Sequence, residues 1–335
     1  MRLIFFSFRA SYRKMMFNNF LRNGIYGKYI VINLGGPIKH YIAKLLIFLG
    51  IGRGISCDGD PSISDISKGI NFWTRNFLYI PDKDKKLNNC FAAIKNDHVK
   101  QSNIFQIYPI NIIKSKLNIN PKIIFISRIN TETTKEEKKI WDLNKDKLLK
   151  NFDLIEDVNY WNQNILDTID EKKKYALYLK LKLLLRFEII KSLKHKFNEQ
   201  MKVIGNDWNI YSFKSELSPS IGSKEFNIKN IYDIYKGNIC LDLGSLVGSN
   251  SLYHRSMQII EAGGLIVQSK QSDSTSIWKD LHNKLIFNNI EDAIQLIEKI
   301  LINVNYRSEL LNEIRNKFNN SKHLIEKSLD KVFAN

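Results

Sequence analysis

The stretch Ile239-Cys240-Leu241-Asp242-Leu243-Gly244, followed by Gly248-Ser249-Asn250-Ser251, decides the fold class. The first six residues read as a buried strand and the next four as a small-residue turn. Leu252 to Ala262 has the spacing of a helix, Gly263-Gly264 ends it, and Leu265-Ile266-Val267 opens a second strand. Strand, turn, helix, glycine stop and strand make one parallel α/β unit, which takes its ligand outside the carboxyl ends of the strands. Asn250 is a suitable N-cap, and free N–H groups at that helix start suit a diphosphate.

Outward from this unit the alternation continues. Toward the N-terminus, strands are expected at Leu3–Phe8, Tyr29–Leu34, Phe77–Ile80 and Ile104–Ile107, with helices at Ser11–Leu21 and Ile38–Leu49. A second series starts with the strand Lys122–Ser127 and has charged or leucine-rich helices at Thr133–Asn151 and Tyr175–Phe197. It continues with a strand at Met201–Gly205, a polar, irregular stretch from about Ser212 to Asn230 and the deciding unit. A short strand at Lys284–Phe287 and helices at Ile290–Val304 and Arg307–Phe333 complete it. Alternating β and α signals argue for mostly parallel sheets. The boundary between the two series falls near Ile119-Asn120-Pro121.

The chain has 335 residues, enough for two ordinary domains. With 44% hydrophobic and 25% charged residues it reads as a soluble globular protein. Fifty-one Lys and Arg against 34 Asp and Glu leave a formal charge of +17, which favours anionic partners. The lysines are scattered, and no basic stripe with interleaved aromatics points to nucleic acid. Cys57, Cys90 and Cys240 have neither CxxC nor metal-ligand spacing and fit a reduced compartment. The longest apolar run, Leu45–Ile51, is far short of a membrane span. A cytoplasmic location follows as the expectation, compatible with peripheral contact at the inner face of a membrane.

Arg255, Met257, Gln258, Ala262, Gly263-Gly264 and Leu265-Ile266-Val267 stand in the order of a motif in the C-terminal domain of GT-B glycosyltransferases. The sequence resembles the CgeB-like (spore maturation) enzymes and the broader group-1 family. Trp278, Leu285-Ile286-Phe287, Glu291-Asp292 and Ile300-Leu301 resemble the closing strand and helix of that family. Ile124-Phe125-Ile126-Ser127, Arg186 and Gly205-Asn206-Asp207-Trp208 resemble its first strand, an Arg-led helix and a Gly-x-x-Trp turn. The likeness covers the chain from Lys122 onward.

It implies an α/β protein of two Rossmann-like domains facing a cleft. Residues 1–120 would form the acceptor side, 121–320 the nucleotide-sugar side, and 321–335 a C-terminal helix crossing back onto the first domain. It further implies a metal-independent glycosyltransferase that moves a sugar from a nucleotide-sugar donor to a glycan, lipid-linked or protein acceptor, with no cofactor beyond the donor. A nucleotide-sugar 2-epimerase of the same fold and a non-catalytic basic binding protein are the alternatives. The family's nucleotide-binding Glu is replaced by Gln258, and Glu261 lies three residues further on. Either would serve the ribose, since residues three apart share a helical face and an amide both donates and accepts.

For the diphosphate the candidates are Arg255, Arg128 and the helix start at Ser249 and Asn250, with Gly205 and Asn206 on the ligand rim; Arg186 reads as half of a structural ion pair. A base for the acceptor hydroxyl is expected from the first domain, at Asp58, Asp60 or His98, because a carboxylate or an imidazole suits that work.

Overall fold

The structure, a computed structural model, describes residues 1–8, 23–33, 37–57, 70–73, 89–91, 104–105, 108–127, 131–166, 171–205, 228–244, 251–271 and 273–333. The expected helix at Ser11–Leu21, the strand at Phe77–Ile80 and almost all of the polar stretch after Ser212 lie outside these residues.

The protein is α/β, and its described strands form two sheets. The first contains β1 (Arg2–Phe8), β2 (Gly24–Tyr26), β3 (Tyr29–Asn33), β4 (Gly52–Cys57), β5 (Ile70–Trp73), β6 (Asn89–Phe91) and β7 (Ile104–Phe105). Its order is β2-β3-β1-β4-β5-β6-β7. Among the described strands only the β2–β3 hairpin is antiparallel. Helix α1 (Pro37–Phe48) connects β3 to β4 and buries Ala43 and Ile47 against Phe5.

The second sheet holds the larger core. Its chain order is β8 (Ile123–Ile126), α2 (Lys135–Lys150), α3 (Glu171–Phe197), β9 (Met201–Ile204), α4 (Ile228–Tyr235), β10 (Ile239–Asp242), α5 (His254–Glu261), β11 (Leu265–Ser269) and β12 (Ile286–Phe287). Spatially the strands run β12-β11-β10-β8-β9, each parallel to its neighbour. Ile123 faces Ile239, and Ile239 faces Leu265, so the apolar runs sit side by side. Strands β8, β10 and β11 are buried along their whole length, which explains their lack of polar alternation. Helix α2 starts on a capping box: the Thr134 side chain accepts from Glu137 N–H, and the Glu137 side chain accepts from Thr134 N–H.

The final helical stretch is divided differently from the sequence expectation. It forms α6 (Ile290–Ile302), α7 (Val304–Lys317) and α8 (Ser321–Phe333). Helix α8 lies against the first sheet. Glu326 accepts from Lys28 N–H, and Asp330 accepts from the Tyr29 hydroxyl at 2.7 Å and pairs with Lys28.

Residues 108–121 form a strap along the second sheet's amino edge. Ile110 N–H donates to Glu261 Oε1 and Ile113 N–H to the Glu261 carbonyl, both at 2.8 Å. Ser115 Oγ donates to the Gly263 carbonyl, and Asn118 N–H donates to the Gly237 carbonyl. The chain therefore joins the second unit about ten residues before the boundary expected at Ile119-Asn120-Pro121. Gly263 has φ +74°, and a Cβ there would lie 2.4 Å from Ser115 Oγ and 2.7 Å from the Ile113 carbonyl. Strain and clash act together, so Gly263→Ala is expected to lower stability by about 2 kcal/mol or more in urea unfolding. A variant as stable as the parent would show that the strap is loosely held.

Candidate anion site at the carboxyl edge of the second sheet

Strand β8 leads to β9 on one side, and β9 leads back past it to β10 on the other. The crevice between the ends of β8 and β10 is thus a topological switch point, where open α/β sheets take their ligands. The two crossovers run in opposite directions. With right-handed connections, α3 covers one face of the sheet while α4 and α5 cover the other. Arg186 on α3 and Arg255 at the start of α5 therefore approach the same edge from opposite faces.

Arg186 is 5% exposed. Its Nη1 donates to Ser127 Oγ at 3.3 Å, just past β8, and its Nη2 to the Gly244 carbonyl at 2.9 Å, just past β10. Its Nε is buried with no acceptor. Among the described residues no carboxylate pairs with Arg186, which was expected to form a structural ion pair: its partners there are a hydroxyl and a carbonyl. Burial pulls its pKa down to about 9, the charge of Arg255 adds to this, and Asp242 opposes it. Arg255 is half-buried and has no ion-pair partner among the described residues. Two cations thus share one edge, with Asp242 the acidic group that acts on Arg186 among the described residues.

A narrow cleft beside Arg186 continues this field. Lys182, one helical turn before Arg186, and Lys270, just past β11, line it over an apolar floor that includes Phe152, Leu185 and Leu243. Lys182 Nζ donates to the Tyr178 hydroxyl, and Lys270 pairs with Asp153. The sequence reading passed over both lysines. The i, i+4 spacing of Lys182 and Arg186 inside a leucine-rich helix was the available signal, since two such cations share a face.

The remaining expected residues divide clearly. Helix α5 runs from the carboxyl edge down to the amino edge, so its successive turns lie at increasing depth. Gln258 is 6% exposed, and its side-chain amide has no hydrogen-bond partner among the described residues. Glu261 is 2% exposed and about 9 Å further along the helix than Arg255. Its Oε1 accepts from Ile110 N–H, and its Oε2 from the Tyr232 hydroxyl at 2.5 Å. Glu261 is therefore a structural carboxylate that anchors the strap, which corrects the expectation that it serves a ribose.

The helix also starts later than expected. Tyr253, not Asn250, is its N-cap, and Ser256 closes the first turn by accepting from Tyr253 N–H and donating to its carbonyl. Gly205 ends β9 on the same edge of the sheet. Asp58, Asp60, His98, Arg128, Asn206, Ser249 and Asn250 lie outside the described residues.

Behind the edge a buried polar network fixes its shape. Asp242 accepts from Gly244 N–H and from Gln268 Nε2. Gln268 also donates to the Ser251 carbonyl and accepts from Trp278 Nε1. Asp273 accepts from Ser251 N–H at 2.7 Å, while its second carboxylate oxygen is buried and unpaired. Burial raises the Asp273 pKa to about 6, against the lowering effect of the Ser251 hydrogen bonds. Cys240 is buried and its thiol is pushed well up by desolvation, so it is no nucleophile at neutral pH.

A scan of the chain against protein-family models finds no match, and a search of curated proteins finds no similar one.

The raised pKa of Asp273 has a signed consequence. The folded state holds a proton that the unfolded state has already lost, so stability falls as pH rises from about 4 to about 6. The burial penalty is on the order of 3 kcal/mol. Asp273→Asn is expected to flatten the dependence of the unfolding midpoint on pH across this window and to raise it at neutral pH. A variant whose profile matches the parent's would show that Asp273 titrates normally.

Proposed function

We propose that the carboxyl edge of the second sheet binds the diphosphate of a nucleotide-linked sugar and that the protein is a glycosyltransferase. One observation carries this reading. Arg186 and Arg255 converge from opposite faces on a topological switch point, and no carboxylate pairs with Arg255 among the described residues. Doubly charged, bidentate anions suit such a place, because guanidinium groups meet phosphate oxygens through charge-assisted hydrogen bonds.

The chemistry follows from the charges. When the glycosidic bond to the diphosphate breaks, negative charge grows on the leaving oxygen. Arg255 would contact that phosphate, and Arg186 beneath the crevice would stabilise the charge through a poorly screened environment. The N–H groups opening α5 add to the field. Gln258, one turn deeper and with no side-chain hydrogen bond to another described residue, is assigned to the ribose hydroxyls. The resemblance places the acceptor and its base on the first sheet's side, where Asp58, Asp60 and His98 are the candidates.

Calorimetry with nucleoside diphosphates and nucleotide sugars tests the assignment. The parent should bind, and a ligand at 100 times its dissociation constant should stabilise the fold by about 2.7 kcal/mol. Arg255→Ala removes one charge-assisted contact of about 1.5–3 kcal/mol and should weaken binding roughly ten- to a hundredfold. Gln258→Ala should weaken it less. Glu261→Ala should leave affinity unchanged but lower stability by about 2–3 kcal/mol, since it orphans a buried N–H. Equal affinity in the Arg255→Ala, Gln258→Ala and parent proteins would remove the site. Release of nucleoside diphosphate from a nucleotide sugar only when an acceptor is present would separate transfer from simple binding.

A further inference from the structure

Helix α1 is apolar on two opposite faces, and only one of them is covered. Ala43 and Ile47 face the sheet and are buried. At about 100° per residue, Tyr41, Ile42, Leu45, Phe48 and Leu49 lie on the opposite arc. All five are exposed, Phe48 at 78% and Leu45 at 58%, and Ile51 extends the patch beyond the helix end. A helix with apolar residues all round is ordinarily buried all round, and a contiguous apolar patch of this extent marks an interaction surface.

The charge of this part of the sequence indicates the partner. Residues 1–57 contain nine of the 51 Lys and Arg and none of the 34 Asp and Glu, so about half of the net charge of +17 sits in the first sixth of the chain. Lys44 flanks the exposed arc on the helix itself, and Arg53 follows on β4; both side chains are partly exposed. Large apolar side chains, two of them aromatic, on a helix within a wholly basic segment match the chemistry of an anionic bilayer surface. The apolar face enters the boundary between headgroups and acyl chains, and the cations meet lipid phosphates. A second copy of this chain fits less well, because pairing these faces would bring two wholly basic segments together. Nucleic acid would leave the apolar arc without a partner.

From this we infer that the outer face of α1 docks the protein on anionic phospholipid. The inference does not rest on the proposed donor site. Co-sedimentation of the full chain with vesicles tests it. Binding is expected to vesicles of phosphatidylcholine mixed with phosphatidylglycerol, to weaken as salt rises, and to be slight with phosphatidylcholine alone. Leu45→Glu with Phe48→Glu should weaken it roughly tenfold or more while the thermal unfolding midpoint stays near the parent's. A separate Phe48→Trp protein should show a blue-shifted emission component, quenched by bromine-labelled acyl chains, only with the anionic vesicles. Failure of the parent to bind anionic vesicles overturns the inference, as does a double-Glu protein that binds like the parent. A parent dimer that the double-Glu change makes monomeric, with no vesicle binding, would assign the face to a second copy instead.

Discussion

The hydrogen bonds from Arg186 to Ser127 and Gly244 tie together the ends of β8 and β10 where the chain reverses its course across the second sheet. That reversal opens a crevice between two parallel strands, and every parallel sheet of this kind must fill or use it. Here it is floored by a cation. A guanidinium buried this deeply is expensive unless its donors are met, and one of them, Nε, is not. The arrangement makes physical sense if the edge is built for an anion that completes the charge balance. Arg255 on the other face reinforces that demand, because its positive charge further disfavours the charged form of Arg186.

Helix α5 separates this chemistry from the scaffold along its own length. Its first turn carries Arg255 at the ligand edge. Its last turn carries Glu261, whose oxygens hold the strap at Ile110 and the hydroxyl of Tyr232. The tight turn at Gly263 then receives Ser115 from the same strap. Asp242 and Gln268 do similar work behind the crevice, fixing the turn at Gly244 that accepts from Arg186.

The β10–α5–β11 unit was legible because two buried apolar runs flank a helix ended by paired glycines. The strand β4 was not, because Gly52-Arg53-Gly54 reads as a turn. Packing explains it: a Cβ at Gly52 would lie 2.6 Å from the Phe5 ring, so the sheet requires glycine there. Asn250 is the better N-cap by residue type, yet the Ser256 side chain sets the helix start at Tyr253. Gln258 and Glu261 looked equivalent because spacing reports a shared face but not depth. The nearness of Glu261 to the glycine stop was the missed clue, since that stop lies at the sheet's amino edge. The partners of Arg186 are a hydroxyl and a carbonyl from two distant strands, which no local pattern announces.

The charge distribution follows the same division. In the second unit Lys182, Arg186, Arg255 and Lys270 gather at one edge, around a crevice, while residues 1–57 carry nine basic residues and no acidic one in the same stretch as an uncovered apolar helix face. The first arrangement suits a small anion and the second an extended anionic surface. The most direct measurement of the central claim is a crystal structure of the protein with a nucleoside diphosphate. The account predicts the diphosphate between the ends of β8 and β10, in hydrogen-bond contact with Arg255 and above Arg186. A diphosphate seated on the first sheet, or one that leaves Arg255 free, would contradict it.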